Sequence, residues 1–264
     1  MLAEVQNAIA QRPRDARLVV LCDYDGTLAE FHPDPTIPLP SADTAELLRR
    51  IAHRDDLTFG IVSGRRISDL RTRTQLSTRS YLSGLHGLEI EVGGRRWQHP
   101  DLDPARRHVR SLYERLSSLP DRVPGSIIED KHASIAVHVR AVAPDERQRA
   151  LDEADACAAK WVAERKVRRL PGNLVLEFLP NIAAHKGDAT HWIARDVETK
   201  CRQRTWVVFI GDDLTDEDAF GAITRGIGVL VGNRATRATH SIADTREVCR
   251  LLRWVTGEMH QVAV

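Results

Sequence analysis

Cysteine is scarce in this chain. The four present, Cys22, Cys157, Cys201 and Cys249, lie far apart and form no Cys-x-x-Cys pair. That argues against a zinc site and a disulfide framework, and it suits a reducing cytoplasm. An excess of one charge is missing as well. With 38 Lys and Arg against 37 Asp and Glu, the formal net charge is +1, which gives no reason to expect a nucleic acid or an acidic membrane surface as partner. No apolar run reaches transmembrane length, and Glu4, Arg12, Arg14 and Arg17 leave no signal-peptide core. Internal repeats, low-complexity segments and long linkers are also absent. The expectation is a soluble cytoplasmic monomer.

The composition that remains is ordinary: 264 residues, 42% hydrophobic and 28% charged, enough for one large domain or two small ones with a real core. The chain is organised around Leu18-Val-Val-Leu-Cys-Asp-Tyr-Asp-Gly-Thr-Leu28. Its apolar run reads as a strand buried on both faces of a parallel sheet, ending abruptly in Asp23 and Asp25. Ligands of open α/β sheets bind outside the carboxyl ends of strands, so chemistry is expected here. Two positions apart on extended backbone, the carboxylates project to one side and repel unless a cation or an acid role intervenes. A strand followed by an Asx-type turn is the plainer explanation of the motif alone.

A short helix is expected near Leu2 to Ala10 before this strand, and a proline-rich ordered loop over 31–40 after it. Ser41 or Asp43 can cap the next helix, which carries Leu47, Leu48 and Ile51 as its apolar stripe. Leu57 to Val62 is a second buried-type strand with Ser63-Gly-Arg65 at its end. A helix at roughly 66–76 and a strand near 81–83 continue the alternation of parallel α/β proteins. Gly93-Gly94 then predicts a hairpin turn within 90–97. Between about 101 and 180 the pattern changes to two amphipathic helices and about four short antiparallel strands. Among these, Ile135 to Arg140 alternates like a half-exposed strand, and Leu170-Pro-Gly-Asn-Leu174 suggests a hairpin. The α/β pattern resumes with a helix at roughly 186–200, the apolar run Trp206 to Ile210, a last strand at 226–232 and a helix near 245–254. The expected fold class is therefore α/β: a parallel-sheet core from 1–100 and 181–264, with an inserted α+β unit at 101–180.

Four strand ends or helix starts carry polar groups: Asp23/Asp25, Ser63, Lys186 and Asp212/Asp213/Asp216. Singly, each has a dull explanation. Ser63 resembles an N-cap, Lys186 a solvated charge, and the acidic run 212–218 a helix start opposing the dipole. Those explanations leave their joint order at one sheet edge unexplained.

That order, Asp-x-Asp-Gly-Thr, Ser at a strand end, Lys, then Gly-Asp-Asp-x-x-Asp, resembles the haloacid dehalogenase superfamily of phosphohydrolases. Asp23 to Leu28, Ser63-Gly-Arg65, Gly84-Leu-His-Gly-Leu-Glu89, Glu129-Asp-Lys131 and Gly211 to Phe220 narrow the resemblance to the trehalose-6-phosphate phosphatase family. The resemblance runs from about residue 18 to about 235. It implies a Rossmann-type, doubly wound core with an inserted cap, and Mg²⁺ as cofactor, a cation suited to hard oxygen ligands beside a phosphate.

By the same resemblance Asp23 is the nucleophile, and Asp23, the main-chain carbonyl of Asp25 and Asp212 hold Mg²⁺. The Asp25 side chain serves as acid and then base, with Thr27 orienting it and Gly26 allowing close approach to the phosphate. Ser63 and Lys186 hold phosphate oxygens, and Asp213 and Asp216, ranked behind Asp212, bind metal waters or position Lys186. The loop after Asp25 is too short for a lid domain, so the insert takes that role. The cap positions Glu129, Lys131, Arg140 and Glu177 would read the hydroxyls of trehalose 6-phosphate, with Arg65 and His86 also touching substrate and His86 and Glu89 lining a hinge or site edge. Salt bridging on an antiparallel sheet is the alternative for the cap charges. Two other readings stay open: another sugar or polyol phosphatase of the superfamily (for sucrose phosphate or mannosyl-phosphoglycerate), and a catalytically silent binding module on the same fold. A receiver-type phosphoacceptor fits poorly with the insert and Asp25.

Overall fold

Val19 and Leu21 point to one side of a strand while Leu18, Val20 and Cys22 point to the other, and both sides are buried. That alternation runs through a computed structural model that describes residues 1–32 and 39–257. The proline-rich loop expected over 31–40 falls largely outside the described residues.

The chain forms two compact units. The first comprises residues 1–31, 39–97 and 184–257. Its elements begin with α1 (Leu2–Ala10), β1 (Arg17–Cys22), α2 (Ala42–Ile51), β2 (Leu57–Val62), α3 (Ile67–Thr74), β3 (Tyr81–Gly84), β4 (Glu89–Val92) and β5 (Arg95–Gln98). The second unit, residues 98–183, contains α4 (Leu102–Leu116), α5 (Leu119–Arg122), β6 (Ile127–Asp130), β7 (Ile135–His138), α6 (Arg147–Ala163), β8 (Val167–Gly172) and β9 (Val175–Pro180). The first unit then resumes with α7 (Lys186–Cys201), β10 (Thr205–Gly211), α8 (Glu217–Ala222), β11 (Gly226–Val231), β12 (His240–Ile242) and α9 (Thr245–Val255).

Among the described residues, the first unit builds an eight-stranded sheet in the order β12-β11-β10-β1-β2-β3-β4-β5. Six neighbouring strands, β12 through β3, run parallel, and β4 turns back antiparallel. On one face Leu18, Val20, Cys22, Val208 and Ile210 pack with Val5 and Ile9 of α1, Leu47, Leu48 and Ile51 of α2, and Leu251 and Leu252 of α9. The opposite face of β1 and β10 packs with Ala189, Ile193 and Val197 of α7 and Phe220 of α8. Helices on both faces make the sheet doubly wound. β1 has β2 on one side and β10 on the other, so the strand order reverses beside it and a crevice opens at the carboxyl ends of β1 and β10.

Caps fix where the key helices begin. The Ser41 hydroxyl accepts from Thr44 N at 3.1 Å and starts α2. At α7, His185 Nδ1 accepts from Asp188 N at 3.2 Å while Asp188 Oδ2 accepts from His185 N at 3.0 Å, a reciprocal cap that sets Lys186 as the first helical residue. The strand at 226–232 is not the last, since β12 adds an edge strand of three residues, too short to show a period.

In the second unit a four-stranded antiparallel sheet has the order β6-β7-β9-β8. Val109, Leu112 and Leu116 of α4 and Ala150, Ala154 and Ala158 of α6 form its core with Ile135, Val137, Leu176 and Phe178. The small Ala residues recur every four positions, giving α6 a flat stripe on which to pack. Pro171 lies within β8, an edge strand, where a missing N–H is tolerated. The β8–β9 turn falls at Asn173-Leu174, one residue beyond the centre of the expected hairpin. The half-exposed alternation expected over Ile135 to Arg140 holds at His138 and Arg140, which are half-buried beside buried Val137 and Val139, and departs only at Ala136, which is fully buried. Ala136 sits in register between Glu129 and Glu177, so longer side chains shade its polar face. Among the described residues no helix is long and apolar enough to cross a membrane.

Candidate active site

β1 and β10 pair with Cys22 opposite Ile210, and Asp23 N donates to the Ile210 carbonyl at 2.8 Å. The two acidic segments therefore leave the sheet side by side. Asp23, Asp212 and Asp216 bring one carboxylate oxygen each within 4.8 Å of one another. At an effective dielectric near 20, each such pair repels by about 3–4 kcal/mol. Lys186 answers part of this: its buried ammonium lies 2.8 Å from Asp23 Oδ2 and 2.8 Å from Asp216 Oδ1. With all three carboxylates ionised, one ammonium would leave an excess of two negative charges in a site of hard oxygens.

The acid–base properties follow. Burial, then the charges of Asp23 and Asp216, push the Asp212 carboxyl up to about 9. Burial pushes Asp216 up to about 7, with Lys186 opposing and Asp23 adding to it. Asp23 is likewise raised by burial, against the pull of Lys186. For Lys186 burial works against the charged form, but Asp216 and Asp23 outweigh it and hold the ammonium protonated. This donor set fits a divalent hard cation, which would neutralise the excess that one lysine cannot.

Glycine makes the close approach possible. Gly26 has φ +75°, and a Cβ there would lie 2.3 Å from Asp212 Oδ2. The Asp212 carboxylate thus fills the space that a side chain at position 26 would need. Thr27 also departs from expectation: its hydroxyl donates to Asp212 Oδ1 at 3.1 Å, so it orients Asp212 rather than Asp25. Asp23 Oδ1 accepts from Tyr24 N at 2.6 Å, leaving Oδ2 toward Lys186.

Ser63 is buried at the end of β2, where its hydroxyl accepts from Arg65 N at 3.2 Å. It is not the N-cap of α3; Arg66 occupies that place. Arg65, expected on substrate, grips Asp25: Nε reaches Oδ2 and Nη2 reaches Oδ1, both at 2.7 Å. The segment after β3 braces this turn, as Leu85 N donates to Arg65 O and His86 N to Ser63 O, each at 3.0 Å. His86 has φ +57° and sets its ring against Gly64, where a Cβ would lie 2.5 Å from Nε2. Glu89, expected at a hinge or site edge, is buried and accepts from Ile67 N at 2.8 Å and from Arg96 at 2.5 Å, which caps α3.

Asp216 makes the contact with Lys186 that one of its two expected roles requires. It is fully buried, bonds Lys186, and accepts from Asp213 N at 2.9 Å. Asp213 is half-buried and adds its main chain to that turn. One contributor is new. Arg234 donates from Nε to Asp212 O at 3.0 Å and from Nη2 to Asp213 O at 2.6 Å, and it also pairs with Glu217. It follows β11 at the same carboxyl edge of the sheet, and that position is the signal which finds it.

In the second unit the polar face of the sheet gathers two pairs. Lys131 Nζ lies 3.1 Å from Glu177 Oε2, and the Ser134 hydroxyl donates to Glu177 Oε1 at 2.6 Å. Glu129 pairs with His138 at 2.9 Å. Arg140 donates to the Asn173 carbonyl at 3.1 Å.

A doubly wound sheet with acidic residues at its reversal point and a buried helix-start lysine beside them defines a haloacid dehalogenase-like fold. A haloacid dehalogenase-like hydrolase from Bacteroides thetaiotaomicron shares it with a TM-score of 0.61 at 16% identity, over 91% of this chain and 99% of that one. The chain belongs to the trehalose-phosphatase family, whose profile matches residues 21–247. It is 30% identical over 233 residues to the trehalose-phosphate phosphatase of Mycobacterium avium, covering 84% of this chain and 58% of that protein. The C-terminal domain of the C. albicans trehalose-6-phosphate phosphatase matches with a TM-score of 0.81 at 22% identity, over 97% of each chain. The chain spans from 19% to 69% of the length of the curated relatives it matches.

Proposed function

We propose that this chain is a Mg²⁺-dependent phosphatase that hydrolyses trehalose 6-phosphate to trehalose and phosphate through an aspartyl-phosphate on Asp23. The observation that carries this reading is the Asp23 carboxylate itself, buried, with one oxygen fixed by Tyr24 N at 2.6 Å and the other facing Lys186 at 2.8 Å. Asp23, Asp212 and the main-chain carbonyl of Asp25 would hold Mg²⁺, with Asp216 beside them. When bound, the cation neutralises phosphate charge so that an anionic nucleophile can reach phosphorus.

The remaining steps belong to the chain. Lys186 and the Ser63 hydroxyl bind phosphate oxygens and keep the ester aligned. An Asp23 oxygen forms a bond to phosphorus as the bond to the sugar oxygen breaks, and the Asp25 carboxyl gives its proton to that leaving oxygen. Water then attacks phosphorus, returns a proton to Asp25, and frees Asp23 with release of phosphate. The polar face of the second unit, with Glu129, Lys131 and Glu177, serves as the cap that reads sugar hydroxyls. Arg140 adds a donor there. Charged groups already held by neighbours are rigid partners for a neutral disaccharide.

The test is phosphate release from a panel of sugar phosphates with Mg²⁺ or EDTA. Turnover of trehalose 6-phosphate far above glucose 6-phosphate, lost in EDTA, is expected. Comparable rates on the two esters would overturn the substrate, and unimpaired turnover by Asp23→Asn would overturn the nucleophile.

A further inference from the structure

All three nitrogens of the Arg65 guanidinium are engaged by carboxylates of the protein. Its Nε and Nη2 close a two-point fork on Asp25 at 2.7 Å each, and its Nη1 lies 2.8 Å from Asp69 Oδ2. Asp69 is itself held from α3 by Arg73 Nε at 2.7 Å. The guanidinium also lies over the Tyr24 ring, 5.4 Å from its centroid. The main chain is pinned at both ends, Arg65 N to the Ser63 hydroxyl at 3.2 Å and Arg65 O by Leu85 N at 3.0 Å. The side chain of Arg65 is 6% exposed and that of Asp25 is 29% exposed. One partner is fixed in the protein, and the other faces outward from it.

A surface ion pair would need none of this anchoring and would contribute little. A planar fork matched to a carboxylate does more than neutralise it, because two parallel bonds fix the plane of the acceptor. We propose that Arg65 is a positioning residue for Asp25. Its fork sets the orientation in which Asp25 meets the leaving oxygen: one of the two bonds is open while Asp25 carries the proton and closes as the proton passes to that oxygen. The Asp69–Arg73 pair keeps the fork in place. This rests on the proton-carrying role of Asp25 in the functional reading above. It adds why Asp25 is correctly aimed before any ester arrives.

The test is a double-mutant cycle of Arg65→Gln and Asp25→Asn, assayed on trehalose 6-phosphate and on p-nitrophenyl phosphate. The sugar oxygen needs a proton to leave, whereas the aryl oxide leaves without one. A misaimed group costs about 10²-fold in rate, so Arg65→Gln should lower kcat on the sugar ester by about that factor with KM little changed. It should leave the pre-steady-state burst on the aryl ester intact and have no further effect once Asp25 is Asn. Arg65→Lys keeps the charge without the fork and should recover little.

A burst on the aryl ester slowed as much as turnover of the sugar ester, an undiminished loss in the Asp25→Asn background, or full recovery by Arg65→Lys would each overturn the proposal. If Arg65→Gln does not fold, Asp69→Asn replaces it in the same cycle, because it loosens the fork without touching Asp25. Wild-type turnover of trehalose 6-phosphate judges the functional reading separately. Should another alkyl phosphate prove to be the substrate, the cycle runs on that ester and decides Arg65 all the same.

Discussion

The Thr27 hydroxyl donates to Asp212 Oδ1 across 3.1 Å, joining two strand ends 185 residues apart in sequence. Asp212 has little else to orient it from the β1 side, since Gly26 offers only space.

Thr27→Val keeps the shape and removes the donor. Hydrogen bonds that orient metal ligands are worth about 10- to 100-fold in metal affinity. The expected result is Mg²⁺ affinity reduced by about that factor, measured calorimetrically, with fold stability lowered by only about 1 kcal/mol. Unchanged affinity would return Thr27 to the role of orienting Asp25.

Arg234 acts on the same loop from the other side, through the carbonyls of Asp212 and Asp213. Arg234→Met should loosen that loop without altering any carboxylate. Faster amide exchange confined to residues 211–217, with Mg²⁺ affinity lowered about tenfold, is expected. Protection identical to wild type would reduce Arg234 to a surface charge.

These contacts show which parts of the molecule could be read in sequence. β1 and β10 were legible because apolar runs ending in Asp and Gly are local signals, and their parallel pairing brings Asp23 and Asp212 to one edge without further information. The same logic located Ser63 and Lys186. Partners within the site were not legible. Thr27 could as well have faced Asp25, two residues away, and the choice of Asp212 depends on the turn at Gly26. Arg65 reaches Asp25 across 40 residues of sequence, a pairing set by the β1–β2 register. In β7 the alternation held at His138 and failed at Ala136, whose burial follows from long side chains on the strands beside it.

The pH dependence of cation binding follows from the raised carboxyls. Asp212 rises from 3.8 to about 9, mainly through burial and then the neighbouring carboxylates; Asp216 rises from 3.8 to about 7, mainly through burial. Both are raised, so between about pH 4 and pH 9 the folded chain holds protons that the unfolded chain has released. Without a divalent cation, stability is therefore greatest near the acid end of this window and falls as pH rises through it. Cation binding needs these groups ionised, so less proton release is required as pH rises. The Tm increase on adding MgCl₂ should be larger at about pH 8.5 than at about pH 5.5. A shift independent of pH would contradict the raised values.

Glu177 offers a way to separate recognition from folding in the second unit. Its carboxylate faces Lys131 at 3.1 Å and Ser134 at 2.6 Å, and the Lys131 and Glu177 side chains are 11% and 8% exposed. Breaking such a buried pair from one side leaves a charge without its counterpart, and Glu177→Gln should cost about 3 kcal/mol in stability. Replacing both members by apolar residues, Lys131→Met with Glu177→Leu, removes that penalty and should restore most of the stability. A pair that only held the sheet together would then be dispensable, and turnover would return with the fold. A pair that reads sugar hydroxyls predicts a split: the double variant melts near the wild-type temperature, its KM for trehalose 6-phosphate stays well above wild type, and its hydrolysis of p-nitrophenyl phosphate is unchanged.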